Sequence, residues 1–279
     1  MPASATHSPA TAPASDSADL GLSLILRTGV AMCFIGHGAW GLVTKAGWLP
    51  YFAVVGIPES WAWQLMPVVG GMDVAVGFLV FLWPCRALFL WAAVWATWTA
   101  LLRPLAGQGW SEFFERAGNY GVPLALLLAV SFEPRWLQRL PEAMPALADA
   151  VRRRVELTLR LTTALLLAGH AGCALLLKKA SLAQHFAIFP AAEPAALMTA
   201  AGWCELALAG AVLLIRHPAV FAAVLVWKVG TEALFLTSGV AGAGFEFIER
   251  GGSYIAPLAL ILMLLPARAS TRYPRLQTA

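Results

Sequence analysis

EFFERAGNYGVP at residues 112–123 returns as EFIERGGSYIAP at residues 246–257. The two copies share Glu115/Glu249, Arg116/Arg250, Tyr120/Tyr254 and a proline at the same place. Working outward, two further polar positions repeat within apolar surroundings. His37 follows a glycine, as does His170, and Asp73 is matched by Glu205. The separations are 249 − 115 = 134, 170 − 37 = 133 and 205 − 73 = 132, a spread that loop insertions absorb. A self-similar period of this kind reads as an internal duplication and decides the architecture before any local propensity does.

Of the 279 residues, 59% are hydrophobic and 12% charged, with a mean hydropathy of +0.72. Soluble domains carry about 25% charged residues. Half that value means most of the surface faces something other than water, so a lipid bilayer is the expected partner. The formal net charge is +4. No Lys/Arg stripe interleaved with aromatics accompanies it, which speaks against nucleic acid. The four cysteines Cys33, Cys85, Cys173 and Cys204 form no Cys-x-x-Cys pair and read as small hydrophobes packed between helices.

A spanning helix needs about 20 mostly apolar residues. Eight segments are candidates, in two sets of four: 20–43, 64–83, 87–105 and 118–132, then 157–177, 195–215, 219–236 and 252–265. The fourth and eighth are short, so their helices are expected to begin earlier, near Glu112 and Glu246, or to lie partly in the interface. The expected fold is all-α and integral to the membrane, with eight transmembrane helices as two pseudo-twofold-related four-helix bundles. Residues 1–18 read as a disordered tail and 19–133 as the first repeat. Residues 134–156 follow as a basic cytoplasmic linker, 157–267 as the second repeat and 268–279 as a cytoplasmic tail. An even number of spans per repeat points both halves the same way about an axis along the membrane normal. Lys/Arg bias sets the orientation. Arg27, Arg86, Arg135, Arg139, Arg152, Arg153, Arg154, Arg160, Arg216, Arg268, Arg272 and Arg275 fall on the side of the N-terminus. Lys45, Arg103, Arg116, Lys178, Lys179, Lys228 and Arg250 fall on the other. Both termini are therefore expected in the cytoplasm, at the inner membrane.

Ionisable groups at membrane depth cost about 2.5–3.5 kcal/mol each and face a bundle interior, where they pair. Each half offers a His in its first span and an acid in its second. His37/Asp73 and His170/Glu205 are thus expected pairs, and three roles are open to them. They tie helices together. They handle protons, as at a quinone site. Or His37 and His170 ligate a haem or metal across the pseudo-twofold; no further ligand pattern accompanies them, so no metal is expected. Glu115, Arg116, Tyr120 and their copies Glu249, Arg250 and Tyr254 are expected at the outer ends of the fourth and eighth spans. There they form either interfacial ion pairs or an anion-binding rim with Arg as the donor fork. Lys228 and Glu232 form an i, i+4 pair in the seventh span only. Their counterparts by the offset of the EFxER stretch are Val94 and Trp98.

The run Phe34-Ile35-Gly36-His37-Gly38-Ala39-Trp40-Gly41-Leu42, followed by Lys45, Tyr51-Phe52 and Gly56-Ile57-Pro58, resembles the DoxX-like pattern of membrane proteins. Gly70-Gly71-Met72-Asp73-Val74-Ala75-Val76-Gly77 is similar to that family's second-span segment, with Asp73 where Glu is usual. The resemblance implies four-helix membrane units, here two in tandem where members have one. It also implies redox association, as with the small subunit of a thiosulfate:quinone oxidoreductase. The expected function is a quinone- or proton-handling subunit of a membrane oxidoreductase system, working with a soluble or membrane redox partner, with quinone as the leading cofactor and haem behind it. Catalysis would fall to His37, Asp73, His170 and Glu205. The alternatives are a proton-coupled carrier at the repeat interface, using Lys228/Glu232, and a scaffold for a soluble redox partner.

Overall fold

The computed structural model describes residues 16–130, 135–142, 146–237, 239 and 241–265. Among them every regular element is a helix. The first set is α1 (Asp16–Leu42), α2 (Leu49–Val54), α3 (Glu59–Leu82), α4 (Arg86–Leu105), α5 (Trp110–Phe114) and α6 (Ala117–Ala129). The second repeats that order as α7 (Asp149–Leu175), α8 (Ala180–His185), α9 (Pro194–Leu214), α10 (Pro218–Thr237), α11 (Ala243–Glu249) and α12 (Gly251–Leu264). Seven stretches are long and apolar enough to cross a membrane: 20–42, 59–82, 86–105, 149–175, 194–214, 218–237 and 243–264. The helix α6, at 13 residues, is shorter and apolar.

Local chemistry sets the ends. Pro58 precedes α3. Pro194 starts α9, where the Glu193 carboxylate accepts from the amide of Ala196 at 2.7 Å. The helices α1 and α7 stop before Thr44 (φ 55°) and Lys178 (φ 45°), non-glycine residues in the left-handed region that occupy matching places in the repeat (178 − 44 = 134). The first helix begins at Asp16, inside the stretch 1–18 read as a tail; residues 1–15 and the expected tail at 268–279 lie outside the described residues. The expected linker 134–156 is shortened likewise, because residues 149–156 are the first two turns of α7.

The two halves interlock. The helix α1 packs on α3 but also on α11 and α12, while α7 packs on α9 and on α5 and α6. The helices α1, α6, α7 and α12 form the centre, and α3, α4, α9 and α10 lie outside it. One hydrophobic cluster runs through both halves, with Leu26, Val30, Phe34 and Leu126 beside Leu159, Leu166, Leu167 and Leu260. The most apolar stretch of α7 is 67% buried and that of α10 only 22%. Phe78, Leu82, Trp91 and Val94 on the outer helices of the first half are exposed, as are Leu206, Leu214 and Val226 on those of the second. Apolar faces this extensive on peripheral helices suit a lipid bilayer.

Glycine makes the interlock close enough. A Cβ on Gly36 would collide with the backbone at Glu249, and one on Gly169 with the backbone at Glu115. Gly118 and Gly252, which correspond in the two copies, lie backbone against backbone. At the end that carries the α6–α7 connection, arginines cap helix C-termini. Arg152 donates to the carbonyl of Met263 at 2.6 Å and Arg160 to those of Val212 and Leu213 at 3.1 and 2.6 Å. Arg216 meets Glu156 at 2.5 and 2.8 Å, which raises the Arg216 pKa above the ordinary arginine value.

Candidate functional site

The Gly36–His37 step of α1 and Asp73 of α3 face each other, with His37 Nδ1 2.7 Å from Asp73 Oδ2. An ionised carboxylate only accepts, so Nδ1 carries the hydrogen and Nε2 is the ring nitrogen left free of Asp73. After the left-handed turn at Thr44 the chain doubles back through α2, which wedges between α3 and α4. This brings Trp48 onto the His37 ring in a stack with centroids 4.5 Å apart. A cavity of about 280 Å³ results, with His37, Trp48, Tyr51, Phe52, Trp95, Trp98 and Arg103 in its wall. The Tyr51 hydroxyl accepts from Arg103 at 2.8 Å and donates to Gln108 at 2.9 Å. Asp73 Oδ1 and Trp95 Nε1 are buried with no hydrogen-bond partner.

The second half builds something different from the corresponding residues. His170 and Glu205 come together as expected, but at ion-pair distance rather than in a direct hydrogen bond. They stand 3.8 Å apart, bridged by Lys228 Nζ at 3.0 Å from His170 Nδ1 and 3.1 Å from Glu205. Lys228 also meets Glu232 at 2.8 Å, the i, i+4 contact expected from the sequence. Arg250 reaches the far side of the ring, 3.2 Å from His170 Nε2, and its Nε is 3.3 Å from Glu232. A neutral imidazole has one lone pair, so only one of the two cationic donors is accepted at a time. Trp227 Nε1 donates to Glu205 at 3.4 Å.

Burial also corrects the register. The buried positions of α4 include Phe89, Ala92, Ala96 and Ala100, and those of α10 are Phe221, Val224, Lys228 and Glu232. The offset is the same for every pair: 221 − 89, 224 − 92, 228 − 96 and 232 − 100 all equal 132. The counterparts of Lys228 and Glu232 are therefore Ala96 and Ala100. Val94 and Trp98, the counterparts given by the sequence offset, are exposed on the outer face. Lys228 is fully buried.

The repeated EFxER stretch is not an exposed rim. Glu112, Glu115 and Glu249 are buried, and the Arg116 and Arg250 side chains are 11% and 12% exposed. Each copy sits where a short helix breaks into the next, α5 into α6 and α11 into α12. Tyr120 and Tyr254 close these breaks by donating to the carbonyls of Phe113 at 3.5 Å and Phe247 at 3.0 Å. Arg116 pairs with Glu115 and, at 3.5 Å, with Glu112; Arg250 pairs with Glu246 at 3.2 Å and with Glu115 at 3.7 Å. Glu249 lies within electrostatic reach of Arg116, Arg250 and His37.

Sequence reasoning missed the lysines that cross between halves. Lys45 reaches Glu246 at 3.3 Å and Lys179 reaches Glu112 at 2.5 Å. The lysines correspond in the repeat, as do the glutamates (179 − 45 = 246 − 112 = 134), so the duplication itself carried the signal. Arg103 pairs with Glu112 at 3.7 Å and joins this network to the wall of the aromatic cavity. A second cavity of about 490 Å³ opens where the halves meet, with Arg116, His170, Glu205, Glu232, Glu246 and Arg250 among its lining residues. Trp48, Tyr51 and Arg103 line both cavities. His185, in α8, also lines the larger one, and burial together with the Arg250 charge holds its pKa below the ordinary histidine value.

Among the described residues one group of metal-ligating type converges, Glu112, Glu115 and Cys173, with one atom of each within 4.8 Å of the others. Lys179, Arg103 and Arg116 pair with these carboxylates. The histidines suggested as haem ligands are each engaged in their own half, His37 by Asp73 and Trp48, His170 by Lys228 and Arg250. No protein-family model, curated protein or solved structure matches the chain.

Proposed function

We propose that the chain is a multi-pass protein of the inner membrane that crosses it eight times as two tandem DoxX-like units, with both termini in the cytoplasm. The fourth crossing of each unit is the broken pair α5–α6 or α11–α12. The recurrence of the same contacts in both copies supports the duplication: Gly36 on Glu249 and Gly169 on Glu115, Lys45 with Glu246 and Lys179 with Glu112. The arginine caps gathered at one end support the orientation.

As to activity, we propose a redox-associated subunit with a quinone site in the aromatic cavity of the first half. The observation that carries this reading is the His37–Asp73 pair in the wall of an aromatic cavity between helices whose outer faces suit lipid. The chemistry is hydroquinone oxidation to quinone, releasing two protons and two electrons. His37 Nε2 would take one hydroxyl proton, with Asp73 stabilising the imidazolium through Nδ1–H. Arg103, held by Tyr51, would donate to a ring oxygen, and the second proton would leave to water. The electrons pass to a redox partner, soluble or membrane-bound. The test is equilibrium binding of a short-tailed benzoquinone, oxidised and reduced, to the purified protein. Saturable binding that weakens at least about tenfold in His37→Ala supports the site. No binding of either form removes it.

A carrier is the second reading, favoured by the 490 Å³ cavity that both halves line. Lys228 and Glu232 beside it would couple transport to protons. That reading requires pH-dependent uptake into vesicles, lost in Glu232→Gln.

A further inference from the structure

The two halves build corresponding sites from corresponding residues, yet the sites differ in what fills them. In the second half the Lys228 ammonium stands between His170 and Glu205, and Glu232 and Arg250 close round it. In the first half the inward residues of α4 at those positions are Ala96 and Ala100. Nothing enters between His37 and Asp73, which bond directly. The acids differ in the same sense. Glu205 is long enough to accept from Trp227, whereas the shorter Asp73 leaves Oδ1 without a partner and Trp95 Nε1 without an acceptor. The second site thus carries its own tethered occupant, the Lys228 ammonium, and the first has none.

The physical consequence concerns which ligand each site tolerates. A lipophilic ring seated against Lys228, Glu232 and Arg250 would strip polar contacts from buried charges without replacing them, and burying a charge without a partner is strongly unfavourable. Against His37, Trp48 and Trp95 the same ring meets aromatic surface and one proton acceptor. From this asymmetry we infer that the chain binds a single lipophilic ligand, in the first half alone, and that the buried charges of Lys228 and Glu232 make the second site unfavourable to it although a cavity adjoins it. The inference rests on the quinone reading above and adds a stoichiometry and a reason for it.

The experiment is a titration of the full-length protein in detergent with decylubiquinone, oxidised and reduced, following quenching of tryptophan fluorescence to saturation. One equivalent per chain is expected. His37→Ala should weaken binding at least about tenfold, and His170→Gln should leave it unchanged. Ala96→Lys combined with Ala100→Glu copies the second-half pair into the first half and should abolish binding. Circular dichroism and size exclusion identify variants that remain folded. If the double variant does not fold, the contrast between His37→Ala and His170→Gln decides. Two equivalents in the unmodified protein would overturn the inference and leave the quinone reading standing. So would one equivalent that His170→Gln removes and His37→Ala keeps. An absence of any binding would remove the quinone reading and this inference with it.

Discussion

Replacing Lys228 by Met tests whether the second-half cluster is held by charge balance. Lys228 contacts Glu205 at 3.1 Å, Glu232 at 2.8 Å and His170 at 3.0 Å, and all four side chains are buried. Without the ammonium, Glu232 keeps Arg250 at 3.3 Å, but Glu205 keeps only the indole of Trp227 at 3.4 Å and His170, a cation only when protonated, at 3.8 Å. One carboxylate is stranded. Removing one partner of a buried pair costs about 3–5 kcal/mol, and the retained indole contact puts this case near 3 kcal/mol. Glu205→Gln alone leaves Lys228 with Glu232 and keeps an acceptor for Trp227, at about 1 kcal/mol. Combining the two removes the stranded charge, so the double variant should cost about 1 kcal/mol rather than the additive sum of about 4 kcal/mol. The assay is the thermal midpoint in detergent, followed by circular dichroism, where about 2–4 °C accompanies each kcal/mol in a chain of this size. The Lys228→Met midpoint should fall by about 6–12 °C and the double variant should recover most of that. Additive losses, or no loss in Lys228→Met, would refute the charge-balance reasoning.

Gly169→Ala should destabilise by about 1–3 kcal/mol or more, since the added Cβ collides with the Glu115 backbone; Gly21→Ala, with open space at its Cβ position, is the control for the same midpoint measurement. Tyr254→Phe, which loses a 3.0 Å bond, should cost about 1 kcal/mol, and Tyr120→Phe, whose contact is 3.5 Å, less; equal losses would remove the distance argument. Lys179→Gln should cost about 1 kcal/mol because Lys179 is partly exposed, whereas Glu112→Gln, which also releases Arg103 and Arg116, should cost more. The depressed pKa of His185 favours the native state at pH values above the unfolded histidine value near 6.5, and that contribution falls away as pH drops through it toward the folded value. His185→Asn should therefore flatten the midpoint-against-pH curve on the acid side, and an unchanged curve would show that His185 is not the group responsible.

The helical, apolar architecture was legible in composition, because a chain with so few charges has little else to form. The His37–Asp73 contact was legible too, from the positions of one His and one acid in successive spans. The burial of the repeated EFxER stretch was not. Its charges read as interfacial because their partners, Lys45 and Lys179, lie far off along the chain and in the opposite half. The counterparts of Lys228 and Glu232 were misread for a related reason. The repeat spacing is 134 at the EFxER stretch and 132 in the outer helices. A slip of two positions on a helix turns a side chain through about 200°. Only packing separates inward Ala96 from outward Val94.

Gly118 against Gly252 carries a consequence of its own. On the proposed duplication these are the same residue seen twice, so a free-standing single unit would meet a second copy of itself at this glycine and complete its core as a homodimer. In such a dimer every innovation appears on both sides of the axis at once: a lysine at the Ala96 position would shut both sites together. Joining the copies in one chain lifts that constraint. One copy can then place a lysine between its histidine and its acid while the other keeps that pair in direct contact, which is the difference between Lys228 and Ala96.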